Sequence, residues 1–168
     1  MCGRSNKILV MGFGSSILTD DGVALKIADH LKKKLPSKLF DFKEDNLISL
    51  EVMEELSDYK KIILIDAVAN KDAPIGELKS AKLEDFKSSV HLYNIHDLSI
   101  HHLSELAKYL NYKISDDIQI ITINIKEKEE FSASLSEELT LQFDTICSEI
   151  EMFLNKVEDK KLSKKEAI

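Results

Sequence analysis

The sequence predicts an α/β protein, a three-layer sandwich in which a mostly parallel five-stranded sheet carries helices on both faces. Two observations predict this class. Strand-like and helix-like segments alternate from one end of the chain to the other, which is the pattern of βαβ units. The two strongest strand segments, residues 7–12 and 61–67, each contain an unbroken run of four apolar residues, as is typical of parallel strands that are buried on both faces.

The first half of the chain supplies three strands and two helices. In chain order the pattern predicts a strand at residues 7–12, a helix at 23–35, a strand at 38–42, a helix at 47–56 and the central strand at 61–67. The first helix is recognised by apolar residues at helical spacing. It ends at Pro36, because proline cannot continue a helix.

The second half is less regular. Residues 70–76 read as a loop. An edge strand is predicted at residues 77–83, and a strand leading into His96 at residues 88–95. A helix at residues 98–110, a strand at 118–125 and a closing helix at 137–157 follow. The charged residues 158–168 predict a disordered tail. We therefore expect one domain over residues 1–157, since no linker divides the chain.

Composition excludes several functional classes. Thirty acidic residues against 23 basic ones give a net charge of −7, which argues against a nucleic-acid binder. No stretch approaches the roughly 18 apolar residues of a membrane span, and the polar N-terminus is not a signal peptide. Cys2 and Cys147 form no metal-ligand pair, and Cys147 falls on an apolar stripe as a core thiol. We expect a cytoplasmic monomer without an organic cofactor.

Two aspartates, Asp20 and Asp21, follow the first strand and its glycine turn. Gly12 and Gly14 form a Gly-x-Gly pair, but Ile17 stands where a dinucleotide fingerprint needs a third glycine. A phosphate at this turn would face like charges, at a cost of roughly 1–4 kcal/mol per pair near 4 Å. The turn therefore favours a cation or a polarised peptide.

Three chain positions are predicted to meet at one edge of the sheet. In open α/β sheets ligands bind beyond the carboxyl ends of the strands, near the switch in strand order. Asp20 and Asp21 follow the first strand, Asp66 ends the central strand, and His96 follows a later strand. Carboxylates with one imidazole suit a borderline divalent cation. Each residue also has a structural explanation, since either aspartate of the turn can cap the next helix.

Five segments resemble the hydrogenase maturation endopeptidases, which trim the C-terminus of the large subunit of nickel–iron hydrogenases. They are the strand and glycine turn, the acidic turn, the central strand, the histidine loop and the start of the final helix, at residues 8–14, 19–22, 63–68, 96–99 and 133–139. The resemblance covers roughly residues 7–155 and preserves order and spacing.

This resemblance implies a function and a site. Asp21, Asp66 and His96 correspond to the residues that contact the metal in this family and would be both metal-binding and catalytic. The metal is nickel already inserted in the precursor, so the implied partner is a nickel-loaded large-subunit precursor. The chain departs from the family pattern at Ser15, at Lys43-Glu44-Asp45-Asn46, and at Asn124-Ile125, where a proline is common.

Other functions stay open from the residues alone. The metal can polarise the scissile carbonyl or only position it, and Asp21 and Asp66 can act as an acid–base pair if they lie close together. The alternatives to the endopeptidase are a non-catalytic binding module or chaperone for the metal-loaded precursor, a small-molecule or nucleotide-binding α/β domain, and a metal-independent carboxylate protease.

Overall fold

The fold is the predicted α/β sandwich. The computed structural model describes residues 5–36, 38–46, 49–86, 107, 109–126 and 130–166, without the side chains of 84, 86 and 158–166. Its strands are Ser5–Phe13 (β1), Phe40–Asp45 (β2), Tyr59–Ala69 (β3), Leu78–Lys82 (β4) and Ile118–Ile125 (β5). Its helices are Val23–Lys34 (α1), Leu50–Ser57 (α2), Leu83–Phe86 (α3) and Glu137–Glu166 (α4).

The five strands form one sheet in the order β2-β1-β3-β5-β4. The pairs β1–β2, β1–β3 and β3–β5 are parallel, and β4 alone runs antiparallel, against β5. The chain leaves β1 for β2 on one side and then returns to place β3 on the other. The carboxyl ends of β1 and β3 therefore flank the switch in strand order, where α/β sheets bind their ligands.

Two apolar cores cover the two faces of the sheet. On one face Val10 and Ile63 pack with Ile27 of α1 and Ile150 of α4. On the other face the core is formed by the alternate strand residues with α2, and consists of Leu9, Met11, Phe13, Val52, Met53, Leu56, Tyr59, Ile62, Leu64, Leu83, Ala107, Ile118 and Ile120. This division confirms helices on both faces.

Most predicted elements are present, with shifted ends. β5 has the predicted bounds, and the edge strand at residues 77–83 is β4. β2 begins and ends later than predicted, because its register against β1 pairs Phe13 with Asp45. The predicted strand at 88–95 lies outside the described residues, as does all but the end of the predicted helix at 98–110.

The closing helix is longer than predicted. α4 continues past Val157 to Glu166, so nine residues of the segment for which we predicted disorder are helical. Lysine and glutamate are good helix formers, which accounts for helix in this charged segment. The division into a domain and a tail stays a prediction. No described helix is both long and apolar enough to cross a membrane.

Candidate active site

Asp66 is a carboxylate in the buried part of β3, where its neighbours in the strand are apolar. The pairing of β1 with β3 ends at Gly12 and Ile65, so Asp66 is the first β3 residue beyond it, and on its other side it is in register with Thr122 of β5. Its side chain is only 1% exposed, and one carboxylate oxygen accepts a 2.9 Å hydrogen bond from the N–H of Ala67. Burial of a charged group is costly, which marks this position as more than a strand end.

Asp21 lies in the short 3₁₀ helix Thr19–Gly22 that follows β1. Its Oδ2 accepts a 2.6 Å hydrogen bond from the backbone N–H of Ser15, a short charge-assisted contact. The structure excludes the capping explanation for Asp20 and Asp21. The N-cap of α1 is Gly22, and no side chain caps that helix.

The acidic turn lies against the strand that carries Asp66. Residues of Thr19–Gly22 approach residues of β3 within 8 Å between Cα atoms. The turn that holds Asp21 and the strand that holds Asp66 therefore meet at the carboxyl edge of the sheet, at the switch between β1 and β3. The sequence predicts the site at this same edge of the sheet.

The acidic turn is also tied to the segment that leads into α4. Thr19 donates a 2.6 Å hydrogen bond from its hydroxyl to the carbonyl of Glu130, and Ser132 donates one of 3.0 Å from its N–H to the carbonyl of Ile17. Leu18 and Phe131 form an antiparallel bridge between these two bonds. Nothing in the local pattern of either segment signalled this pairing, because it joins residues more than 110 positions apart.

Comparison with known proteins decides the family. The sequence model of the HycI family, described as hydrogenase maturation protease, matches residues 45–152. The chain belongs to this family. The matched range includes Asp66 and His96, and Asp21 precedes it. No curated protein sequence matches the chain.

Solved structures of hydrogenase maturation proteases share the fold. The maturating endopeptidase HybD from E. coli is 14% identical with a TM-score of 0.68, covering 90% of this chain and 93% of that one. HycI from Thermococcus kodakarensis is 19% identical with a TM-score of 0.68, over 89% and 93%. A hydrogenase 2 maturation peptidase from a Thaumarchaeota archaeon is 22% identical with a TM-score of 0.63, over 89% and 98%.

The glycine turn of this hydrogenase maturation protease packs closely against neighbouring backbone and bonds to one of the chain's own carboxylates. A Cβ atom on Gly12 would lie 2.5 Å from the carbonyl oxygen of Ala24 in α1, and one on Gly14 (φ +152°) would overlap the carbonyl oxygen of Asp21. In a phosphate loop the N–H of Ser15 would face the ligand, whereas here Asp21 accepts it. The chain's own carboxylate takes the place of the anion, which weighs against the nucleotide-binding alternative.

Asn124 is a positioning residue that the sequence indicated only as a departure from the family pattern, without a role. It is the last residue but one of β5 and is 3% exposed, and its amide donates to the carbonyls of Asn70, Ala73 and Pro74 at 3.1, 2.7 and 3.0 Å. Its amide oxygen accepts the N–H of Asn70 at 2.8 Å. These bonds fix the loop after β3.

His96, the third predicted site residue, lies outside the described residues. Within the described ranges, no three histidine, cysteine, aspartate or glutamate side chains are grouped so that they could hold a metal ion. Asp21 and Asp66 are thus the two predicted site residues whose surroundings can be described. Two carboxylates alone are a weak donor set for a borderline cation, to which an imidazole would add a nitrogen donor.

Proposed function

We propose that this protease is the endopeptidase that removes a C-terminal extension from the nickel-loaded large-subunit precursor of a nickel–iron hydrogenase. Membership of the hydrogenase maturation protease family supports the reaction. The proposal places the active site where the acidic turn contacts β3, at the switch in strand order of the sheet. This contact is the observation that supports the location. The cytoplasm, where a precursor would be matured, is the proposed location.

In this proposal Asp21, Asp66 and His96 bind the nickel that the precursor carries. Carboxylate oxygens and one imidazole nitrogen suit a borderline divalent ion, and so few ligands leave positions for the precursor's own donors. The site then distinguishes a nickel-loaded precursor from an empty one. Water adds to the scissile carbonyl carbon, the C–N bond breaks, and the departing amine takes a proton.

Rigidity of the two carboxylates supports such a role. Asp66 is held by a buried strand and by the N–H of Ala67, and Asp21 by the N–H of Ser15. Ligands on fixed backbone lose little freedom when they bind, which favours recognition of one geometry. Asp66 on β3 and Asp21 in the acidic turn would bind the metal from two separate elements.

Processing of purified precursor tests the proposal. Nickel-loaded and nickel-free precursor are incubated with the wild-type protein or with Asp21→Asn, Asp66→Asn or His96→Ala, and intact mass is followed over time. We expect loss of a C-terminal peptide from the nickel-loaded form only, with rates for the three variants lower by about 100-fold or more. Matched controls are Asp72→Asn, an exposed aspartate in the loop after β3, and His101→Ala.

Three outcomes contradict the proposal. Wild-type rates in Asp66→Asn and His96→Ala would remove the site assignment. Formation of a stable complex without any change of precursor mass would favour the chaperone alternative. Cleavage of the nickel-free precursor at the same rate would favour a metal-independent carboxylate protease.

A further inference from the structure

Phe131 is a large apolar side chain left on the surface beside the acidic turn. It is 81% exposed, and Ile17, on the paired segment, is 60% exposed. Leu18 and Phe131 oppose each other in an antiparallel bridge, so Phe131 shares a face with Leu18 while Ile17 points to the other face. Apolar side chains of this size are exposed on both faces of the ribbon made by residues 17–19 and 130–132.

The backbone of Phe131 presents an open edge. The bond from Ser132 N–H to the carbonyl of Ile17 makes Leu18 and Phe131 a non-hydrogen-bonded pair, in which both residues direct their own N–H and C=O outward. Among the described residues, no hydrogen bond uses the N–H or the carbonyl of Phe131. An outward donor and acceptor on an extended residue is a template for one more strand.

The ribbon is held next to the candidate site. The Thr19–Glu130 and Ile17–Ser132 hydrogen bonds attach it to the acidic turn, and Asp21 lies two residues beyond Thr19. A peptide paired with Phe131 would therefore run past the turn that carries Asp21. Pairing through the backbone suits a chain that must be held extended before it is cut.

Charge identifies the kind of segment that fits. The described residues among 126–138 include three glutamates and one lysine, and Asp20 and Asp21 add to the negative charge nearby. Glu130, next to Phe131, is itself exposed. A second copy of this acidic chain would be repelled, whereas a segment with a basic residue beside an apolar one would be attracted.

We propose that Phe131 is the docking edge for the precursor: an extended precursor segment pairs with its backbone, sets an apolar side chain against its ring and a basic residue beside Glu130. The proposal rests on the proposed function for the identity of the partner. It adds the surface, the extended conformation and the chemical character of the segment that is bound.

Binding of a synthetic peptide tests the proposal without requiring cleavage. The peptide spans the C-terminal extension of the host's large-subunit precursor and the residues before it, and carries a fluorophore for anisotropy. We expect Phe131→Asp to raise Kd by about tenfold or more, and Phe131→Tyr to leave it within about twofold. Tyr109→Asp is the matched control, since Tyr109 is 84% exposed and precedes the amino end of β5. Thermal unfolding of each variant verifies that it is folded.

A second series tests the backbone pairing itself. N-methylation of the peptide, one residue at a time, should weaken binding at alternate positions, because every second N–H of a paired strand faces its neighbour. Equal Kd values for wild type and Phe131→Asp, no binding by the wild type, or indifference to N-methylation would overturn the proposal. So would sedimentation showing a wild-type dimer that Phe131→Asp abolishes.

The two proposals fail separately. If the wild-type protein binds the peptide through Phe131 but leaves the mass of the precursor unchanged, the proposed function is contradicted and the docking edge is supported. If it cleaves the precursor and Phe131→Asp does so with unchanged KM, the docking edge falls and the function stands. With both correct, Phe131→Asp raises KM for the precursor about tenfold and leaves kcat within about twofold.

Discussion

The carboxylate of Asp20 accepts a 2.7 Å hydrogen bond from the backbone N–H of Ser136, 116 residues later in the chain. Ser136 precedes α4, and its hydroxyl oxygen accepts the N–H of Leu139 at 3.3 Å. In a capping box a glutamate at the third helical position would accept the serine N–H. In this protein the third helical position is Leu139, which is fully buried in the core. The carboxylate of Asp20 therefore accepts the Ser136 N–H instead. The acidic turn thereby helps to start the closing helix.

Removal of this carboxylate should destabilise the protein. Asp20 is 2% exposed, so Asp20→Ala leaves the Ser136 N–H without its charged acceptor, at a cost of about 1.5–3 kcal/mol in the free energy of unfolding. Asp29→Ala is the control, because Asp29 forms an exposed ion pair with Lys33 at 2.6 Å, and such pairs contribute little. Urea unfolding followed by circular dichroism measures both, and equal stability of Asp20→Ala and wild type would contradict the assignment.

The glycine turn should tolerate no side chain at Gly14. Its φ of +152° is one that L-residues rarely adopt, and an added Cβ would overlap the carbonyl oxygen of Asp21. We expect Gly14→Ala to lower the free energy of unfolding by about 1–3 kcal/mol and to displace Asp21, lowering the rate of precursor processing as well. Ser16→Ala, an exposed change in the same turn, should alter neither. Wild-type stability of Gly14→Ala would show that the turn relaxes around the methyl group.

Tyr59 should make stability fall at high pH. Its hydroxyl donates to Asp41 at 3.0 Å, and burial together with this bond raises its pKa to about 12. The unfolded value is about 10, so the stabilising contribution is complete below pH 10 and is lost as the pH rises toward 12. The difference in unfolding free energy between wild type and Tyr59→Phe should therefore shrink from pH 9 to pH 12. A constant difference over that range would contradict this pKa.

Cys147 should be an unreactive thiol. It is 1% exposed, and burial, followed by the nearby Asp144 carboxylate, raises its pKa to about 11. Since the thiolate is the reactive form, Ellman's reagent at pH 8 should modify folded Cys2→Ser protein far more slowly than the same protein in urea. Equal rates in the two conditions would show that the thiol is accessible in the folded protein.

Sequence pattern predicted the layers of the fold better than their ends. Apolar runs located β1 and β3, because parallel strands buried on both faces need them, and β5 was located by a partial alternation of apolar and polar residues. β2 was misplaced by two or three residues, since its bounds follow from pairing with β1, for example Gly12 with Glu44. The extension of α4 was missed because its last turns carry no apolar stripe.

Local sequence pattern indicated candidate site residues but not the hydrogen bonds that hold them in place. Asp66 and the pair Asp20 and Asp21 were chosen from their places at or after strand ends, the family resemblance selected Asp21 from that pair, and strand order brings those places to one edge. The bonds that hold the edge are between distant residues, such as Asp20 with Ser136 and Asn124 with Asn70. Pairs so far apart in sequence leave no periodicity or spacing to detect. The assignment of His96 stays a prediction.

The most direct measurement is the intact mass of the hydrogenase large subunit in a host strain that lacks this protein, before and after the protein is restored. We predict that the subunit in the deletion strain keeps its C-terminal extension. Restored wild-type protein should then remove a short peptide only when nickel is supplied, and restored Asp66→Asn should not. A large subunit of mature mass in the deletion strain would contradict the proposed function, and so would an extension that persists after wild-type protein and nickel are both restored.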